Sequence, residues 1–214
     1  MKRLLPTHGA RASRPRLSGC KALFGCLLWS FSCLGTAPGW TAADEAAAAS
    51  VDRFHGLLIE TMRTEGFDRR AALMEPAVAE FFDLGAVARI SVGPSWRRLS
   101  EERRSAFVAL MHRLVTATYA DRFDSYSGQS FVQVETVAAS TGPVVKTLLN
   151  RANGEPVNLD YYFRGARVFN VVADGVSDLS LRRADYASII RDEGIEGRVS
   201  NIEASIAEMG GAGG

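Results

Sequence analysis

His55 and His112 are the residues beyond the N-terminal segment that most invite a search for chemistry. Neither belongs to a ligand-spaced pair or to a His-Glu-x-x-His helix, so the spacing predicts no metal centre. Gly175-Val176-Ser177-Asp178-Leu179 opens like a nucleophile elbow, but leucine stands where the second glycine is needed. A polar turn leaving the last strand is the simpler reading. Asp160 between Leu159 and Tyr161-Tyr162 has the composition of a buried acid/base group, as in small cone-shaped isomerases. Strand alternation nevertheless places it on a wet face. No glycine-rich phosphate loop occurs, and the three cysteines, Cys20, Cys26 and Cys33, all fall in the first 43 residues. No catalytic constellation, resident metal or cofactor is therefore expected.

The elements that would position these residues come in three groups. Apolar residues at helical spacing run from Ala43 through Phe54, Leu57, Leu58 and Met62. Asp68 can cap a short helix ending at Leu73 before Pro76, and a second short helix follows Asp83 and stops at Gly93-Pro94. Ser100 with Glu101 and Glu102 starts the longest helix, since acidic residues suit a first turn. Its apolar stripe is Phe107, Leu110, Met111, Leu114, Val115, Thr118 and Tyr119. Four strands follow, at 130–139, 144–151, 157–164 and 168–174, joined by connections so short that only antiparallel neighbours can use them. Val157, Leu159, Tyr161 and Phe163 alternate with Asn158, Asp160, Tyr162 and Arg164, giving one apolar and one wet face. Two more helical stripes close the chain: Tyr186, Ile189 and Ile190, then Ile195, Val199, Ile202, Ile206 and Met209. The order predicts an α+β domain, a four-stranded antiparallel meander curved over helices.

The N-terminal segment reads as an export leader, residues 1–43. Lys2, Arg3, Arg11, Arg14, Arg16 and Lys21 precede an apolar run from Ala22 to Leu34, and Thr41-Ala42-Ala43 offers a cleavage triplet. The run is shorter than the ~20 residues of a spanning helix, which favours cleavage over an uncleaved inner-membrane tether. Periplasmic placement is the resulting expectation. The leader takes 6 of 25 basic residues and no acidic ones, so residues 44–214 carry 19 basic against 24 acidic side chains. That balance argues against nucleic acid as a partner. Residues 44–209 form the expected single domain, and the glycine-rich residues 210–214 a disordered tail.

Taken in order, several stretches resemble the MlaC family, the toluene-tolerance auxiliary proteins. Phe82-Asp83, Ala88-Arg89, Gly93 and Trp96-Arg97 are similar to its "FD…AR…G..WR" segment. Phe107, Leu114, Tyr119 and Ala120 fit the long helix, and Pro156-Val157 with Leu159-Asp160-Tyr161 the penultimate strand. Asn170-Val171-Val172-Ala173-Asp174-Gly175-Val176-Ser177 fits the "DV..EGVS" corner, and Tyr186, Ile189, Gly194 and Gly197 the helix after it. Ala166 replaces the family's tryptophan and Asn170 its aspartate, and the corner looks more like the hopanoid-associated branch, HpnM.

The resemblance implies a periplasmic lipid carrier with an NTF2-like cone and a lipid-sized cavity between sheet and helices. Its partners would be lipid (phospholipid or hopanoid), an inner-membrane ABC transporter complex and an outer-membrane acceptor, in service of outer-membrane lipid asymmetry. Candidate lipid-binding residues are Trp96 at the mouth, Phe107, Leu110, Met111, Leu114, Val115 and Tyr119 on the long helix, and Val132, Val134, Leu159, Tyr161 and Phe163 on the strands. Cores and pockets use the same residue types, so each is equally a core candidate. Two alternatives stay open: an exported isomerase- or hydratase-like enzyme, which needs Asp160 or His112 facing a pocket, and a pocketless envelope adaptor.

Overall fold

A computed structural model describes residues 41–152 and 154–211; the leader up to residue 40 and residues 212–214 lie outside the described residues. Helix α1 (Ala42–Arg63) opens on a capping box in which Thr41 and Asp44 satisfy each other's backbone N–H groups. The expected cleavage triplet thus coincides with the cap and first turn of this helix. Helix α2 (Phe67–Phe81) is longer than expected, with Gly66 rather than Asp68 at its N-cap and Pro76 inside it. An internal proline forfeits a backbone hydrogen bond. Burial of Met74 before it and of Ala77, Val78 and Phe81 after it carries the helix past that break.

Asp83 caps helix α3 (Leu84–Val92) by accepting from the Ala86 N–H at 2.9 Å. Gly93 ends it with φ 65° and leads into a 3-10 turn (Gly93–Arg98). Helix α4 (Glu101–Arg122) starts at Ser100, as its acidic first turn requires. The last helix, α5 (Asp178–Gly211), breaks at Gly194 (φ 75°, ψ −174°). Its halves are tied by Arg198, which pairs with Asp185 at 2.8 Å and lies 3.7 Å over the Tyr186 ring. The helix also takes in Gly210 and Gly211, two of the five residues expected to be a disordered tail.

The sheet is antiparallel throughout, in the order β1 (Ser130–Ala139), β2 (Gly142–Asn150), β3 (Val157–Arg164), β4 (Arg167–Ala173), β5 (Val176–Ser177). It has five strands where four were expected. Asp174 and Gly175, at φ 47° and 81°, fold the chain back so that Val172 and Ala173 pair with Ser177 and Val176. Two residues are too few to show alternation, so β5 reads as part of a turn. The helices cover one sheet face. Phe54, Leu58, Met74, Val78, Met111, Val145, Tyr161, Phe163, Val168, Tyr186 and Ile202 are all at most 2% exposed. Each such apolar side chain contributes roughly 1.5–3 kcal/mol by burial.

The facing of β1 corrects the expectation for Val132 and Val134. Phe131 opposes Leu149 and Gln133 opposes Thr147, and the register then shifts between Gln133 and Glu135, leaving Val134 in a bulge. Gln133 donates to the Ala48 carbonyl of α1 at 2.7 Å, which identifies the helix-facing side. Val132 and Val134 therefore point outward, 48% and 58% exposed. One backbone position in the sheet tolerates no side chain. Gly142 has φ 141°, and a Cβ there would lie 2.8 Å from the Phe163 carbonyl oxygen. Gly142→Ala is expected to destabilise the fold by about 2 kcal/mol through strain and displacement of β3. Urea denaturation would show it as a lowered midpoint, and an unchanged midpoint would refute it.

Candidate functional site

Between the sheet and the helices lies a cavity of about 520 Å³. Leu149, Leu159, Tyr161, Phe169, Val171 and Ala173 form the sheet wall; α1 contributes Leu58 and Met62, α3 Leu84 and Val87, and α4 Val115, Thr118 and Tyr119. The start of α5 adds Asp178, Leu179 and Arg182. Exposed lining residues mark the mouth: Arg122, Asp124, Ser125, Arg151, Val176 and Leu181. Val176 and Leu181 are 52% and 60% exposed.

The polar groups of the wall are largely satisfied by one another. Arg182 grips Asp178 with two bonds, Nε to Oδ2 at 3.1 Å and Nη2 to Oδ1 at 3.3 Å. Asn170 Oδ1 accepts from the Ser177 hydroxyl at 3.0 Å and the Leu179 N–H at 3.3 Å, so it holds the entry to α5. Burial, assisted by the charge on Asp178, pushes the Tyr119 hydroxyl well above its ordinary range. At the floor, the Tyr161 hydroxyl meets His55 Nε2 at 3.0 Å, and the His55 ring stacks on Phe131 at a centroid distance of 4.0 Å. Burial lowers His55 to about 4, only partly opposed by Asp52, so the ring is neutral at neutral pH.

Of the residues singled out in the sequence, Val115, Tyr119, Leu159 and Tyr161 line this cavity. Phe107 and Leu110 instead line a separate groove between α4 and the second half of α5. Trp96 edges a surface depression beyond the Asp83 corner, with its ring 6.4 Å from Phe107. Met111, Leu114 and Phe163 are packed core. The α4 stripe is wide because the helix touches several neighbours, α2, α3 and α5 among them, and only one edge of it reaches the cavity. Phe82, Leu84, Leu149, Phe169 and Val171 were missed as wall residues. Phe82 stands in the Phe-Asp motif, and Leu149 and Val171 could have been placed by register, opposite Phe131 and Tyr161.

Asp160 and His112 do not supply the enzyme alternative with a group facing this cavity. Asp160 sits on the outer face opposite Lys146, held above its ordinary range by partial burial. His112 donates to the Glu75 carbonyl at 2.9 Å and edges the same depression as Trp96. Among the described residues no group of three or more His, Cys, Asp or Glu side chains could hold a metal ion.

The fold has a solved counterpart. The phospholipid-binding protein from Ralstonia solanacearum, solved in complex with a phospholipid, superposes with a TM-score of 0.66 at 21% identity, covering 79% of this chain and 99% of that one. At that identity the likeness establishes the shared fold. No curated protein matches the sequence. The family model described as "MlaC protein" matches residues 43–204, helix α1 into the second half of α5, and the chain belongs to the MlaC family.

Proposed function

We propose that this chain is a periplasmic lipid carrier, shuttling phospholipid or hopanoid between an inner-membrane ABC transporter complex and an outer-membrane acceptor. The apolar cavity carries the reading. A lipid leaving a bilayer loses about 0.8 kcal/mol for each methylene no longer buried, and a soluble carrier must offer an equivalent apolar environment. Leu58, Met62, Leu159, Phe169 and Val171 supply such walls. The shared fold with a phospholipid-bound protein supports the same conclusion, and a void at this place counts against a pocketless adaptor. The hopanoid arm rests on the Asn170 form of the corner. Periplasmic placement rests on the leader, and its cleavage separates a free shuttle from a tethered one.

Mass spectrometry of organic extracts from the purified protein tests the proposal. A co-purifying lipid near one equivalent is expected, and its class decides between phospholipid and hopanoid. Repeated absence of any lipid, in extracts and after incubation with membranes, would overturn the carrier reading. N-terminal sequencing of the same sample reads the fate of the leader.

A further inference from the structure

At the Asp83 corner the cavity shares its wall with the outside of the domain. Phe82 and Leu84 line the cavity on one side and, on the other, the surface depression that Trp96 and His112 edge. On the cavity side Phe82 rests edge-on against Phe54 at 5.6 Å and lies 5.7 Å from Tyr119. Asp83, between the two shared residues, pins the corner. Its N–H donates to the Val168 carbonyl of β4 at 2.8 Å, and its carboxylate caps α3. Whatever is seated in the depression touches side chains that also touch the cavity.

The depression pairs an apolar floor with a basic rim. Ala79 of α2 and Val108 and Ala109 of α4 lie beside Phe82 and Leu84, with Trp96 at one side. Arg104 fixes that side by donating to the Trp96 and Arg97 carbonyls at 3.2 and 3.3 Å. Residues 84–100 contain Arg89, Arg97 and Arg98 and no acid, in a domain where acids outnumber bases. Arg89 follows Gly85, a lining residue, by one turn on the same face of α3. Arg97 adjoins Trp96, and Arg167 of β4 lines the depression itself. All three are exposed, and none has a carboxylate within ion-pair distance among the described residues. The two acids of the lining are occupied, Asp83 as a helix cap and Glu101 by Arg104 at 3.3 Å. Glu75, one turn before Ala79, puts the acidic end at α2.

We infer that this depression docks an acidic segment of a partner protein. One aromatic or branched apolar side chain sits on Phe82 beside Trp96, and its neighbouring carboxylates pair with Arg97 and Arg167, as guanidinium groups favour. The recess suits a side chain rather than a bilayer. None of the five exposed large apolar side chains, Tyr126, Val132, Val134, Val176 and Leu181, borders it. The leader has the wrong charge to fill it, with six basic residues and no acidic ones. Resting on the carrier reading, docking here speeds lipid release, because the seated side chain bears on the two residues that also wall the cavity.

NMR titration of the isotope-labelled protein with the peptide acetyl-Glu-Glu-Asp-Trp-Glu-Glu-amide tests the docking. Saturable shifts are expected at the amides of Leu84, Trp96, Ser105 and Ala109. Replacing the peptide's acids with lysine, or its tryptophan with glycine, should weaken binding about tenfold. Arg97→Glu with Arg167→Glu reverses two exposed charges and should weaken the acidic peptide by a similar factor while favouring the lysine one. No saturable shift at these amides, or equal binding of the acidic and lysine peptides, would overturn the docking. So would flotation with dioleoyl phosphatidylglycerol vesicles that the double variant loses, or a dimer in sedimentation equilibrium that the double variant abolishes. With fluorescent phosphatidylglycerol loaded, the peptide should speed its release about fivefold. Unchanged release would overturn the coupling and leave the carrier reading standing. Failure to load any lipid would overturn the carrier reading and the coupling together, while the titration still decides the docking.

Discussion

Replacing Phe54 with alanine is expected to cost the fold about 4 kcal/mol. Phe54 is 2% exposed on α1 and is the meeting point of the aromatic cluster. Its ring stacks flat on Phe81 of α2 at 4.1 Å and takes the edges of Phe82 and Tyr119. Aromatic pairs of this kind add about 0.5–1.5 kcal/mol each beyond area burial. Collapse cannot readily fill the hole, because Phe82 and Tyr119 back onto a cavity that is already empty of protein atoms. Equilibrium urea denaturation should show a lowered midpoint with an unchanged slope. A loss below about 1 kcal/mol would mean that the ring packs far more loosely than these distances say. Phe54→Leu keeps most of the volume and should recover much of the loss.

The same cluster shows which parts of this fold could be read from one sequence. The helix starts at Asp83 and Ser100 were legible because a cap is a local device, a side-chain oxygen three residues ahead of its N–H partner. The β3 facing was legible for a similar reason, since Val157, Leu159, Tyr161 and Phe163 alternate without interruption. Val132 and Val134 misled because their alternation is equally clean, while the side that faces inward is decided by the bulge and by the bond from Gln133 to α1. The span of α2 across Pro76 was hidden because tertiary burial overrode a local rule. His55 and Tyr161 are separated by 106 positions, and neither carries a pattern that names the other. The cavity wall was half legible: strand periodicity found Leu159 and Tyr161, whereas the α4 stripe could not reveal which of its edges meets the sheet and which meets α5.

The His55–Tyr161 pair makes the domain acid-sensitive in a definite window. The ordinary histidine value is 6.5, and burial holds the folded ring at about 4. Between those values the unfolded chain binds a proton that the folded chain refuses, so stability falls as pH falls. The contribution is fully present above about pH 6.5, and about 3 kcal/mol is gone once the pH reaches about 4, where the folded ring protonates as well. His55 is 5% exposed, so solvent screening reduces this little. Asp174 and Glu102, whose hydrogen bonds hold them below their ordinary values, also lose stabilisation on acidification, but as the pH falls through their lowered values rather than across the histidine window.

Denaturation of the protein and of a His55→Gln variant at pH 7 and pH 4.5 isolates the histidine. The glutamine side chain can still reach the Tyr161 hydroxyl but takes up no proton. The unsubstituted protein should lose about 2–3 kcal/mol more than the variant between the two pH values; equal losses would show that the ring is not held neutral by burial. A protonated His55 has no ring nitrogen left to accept with, so at the cavity floor its Nε2–H can only donate to the Tyr161 hydroxyl.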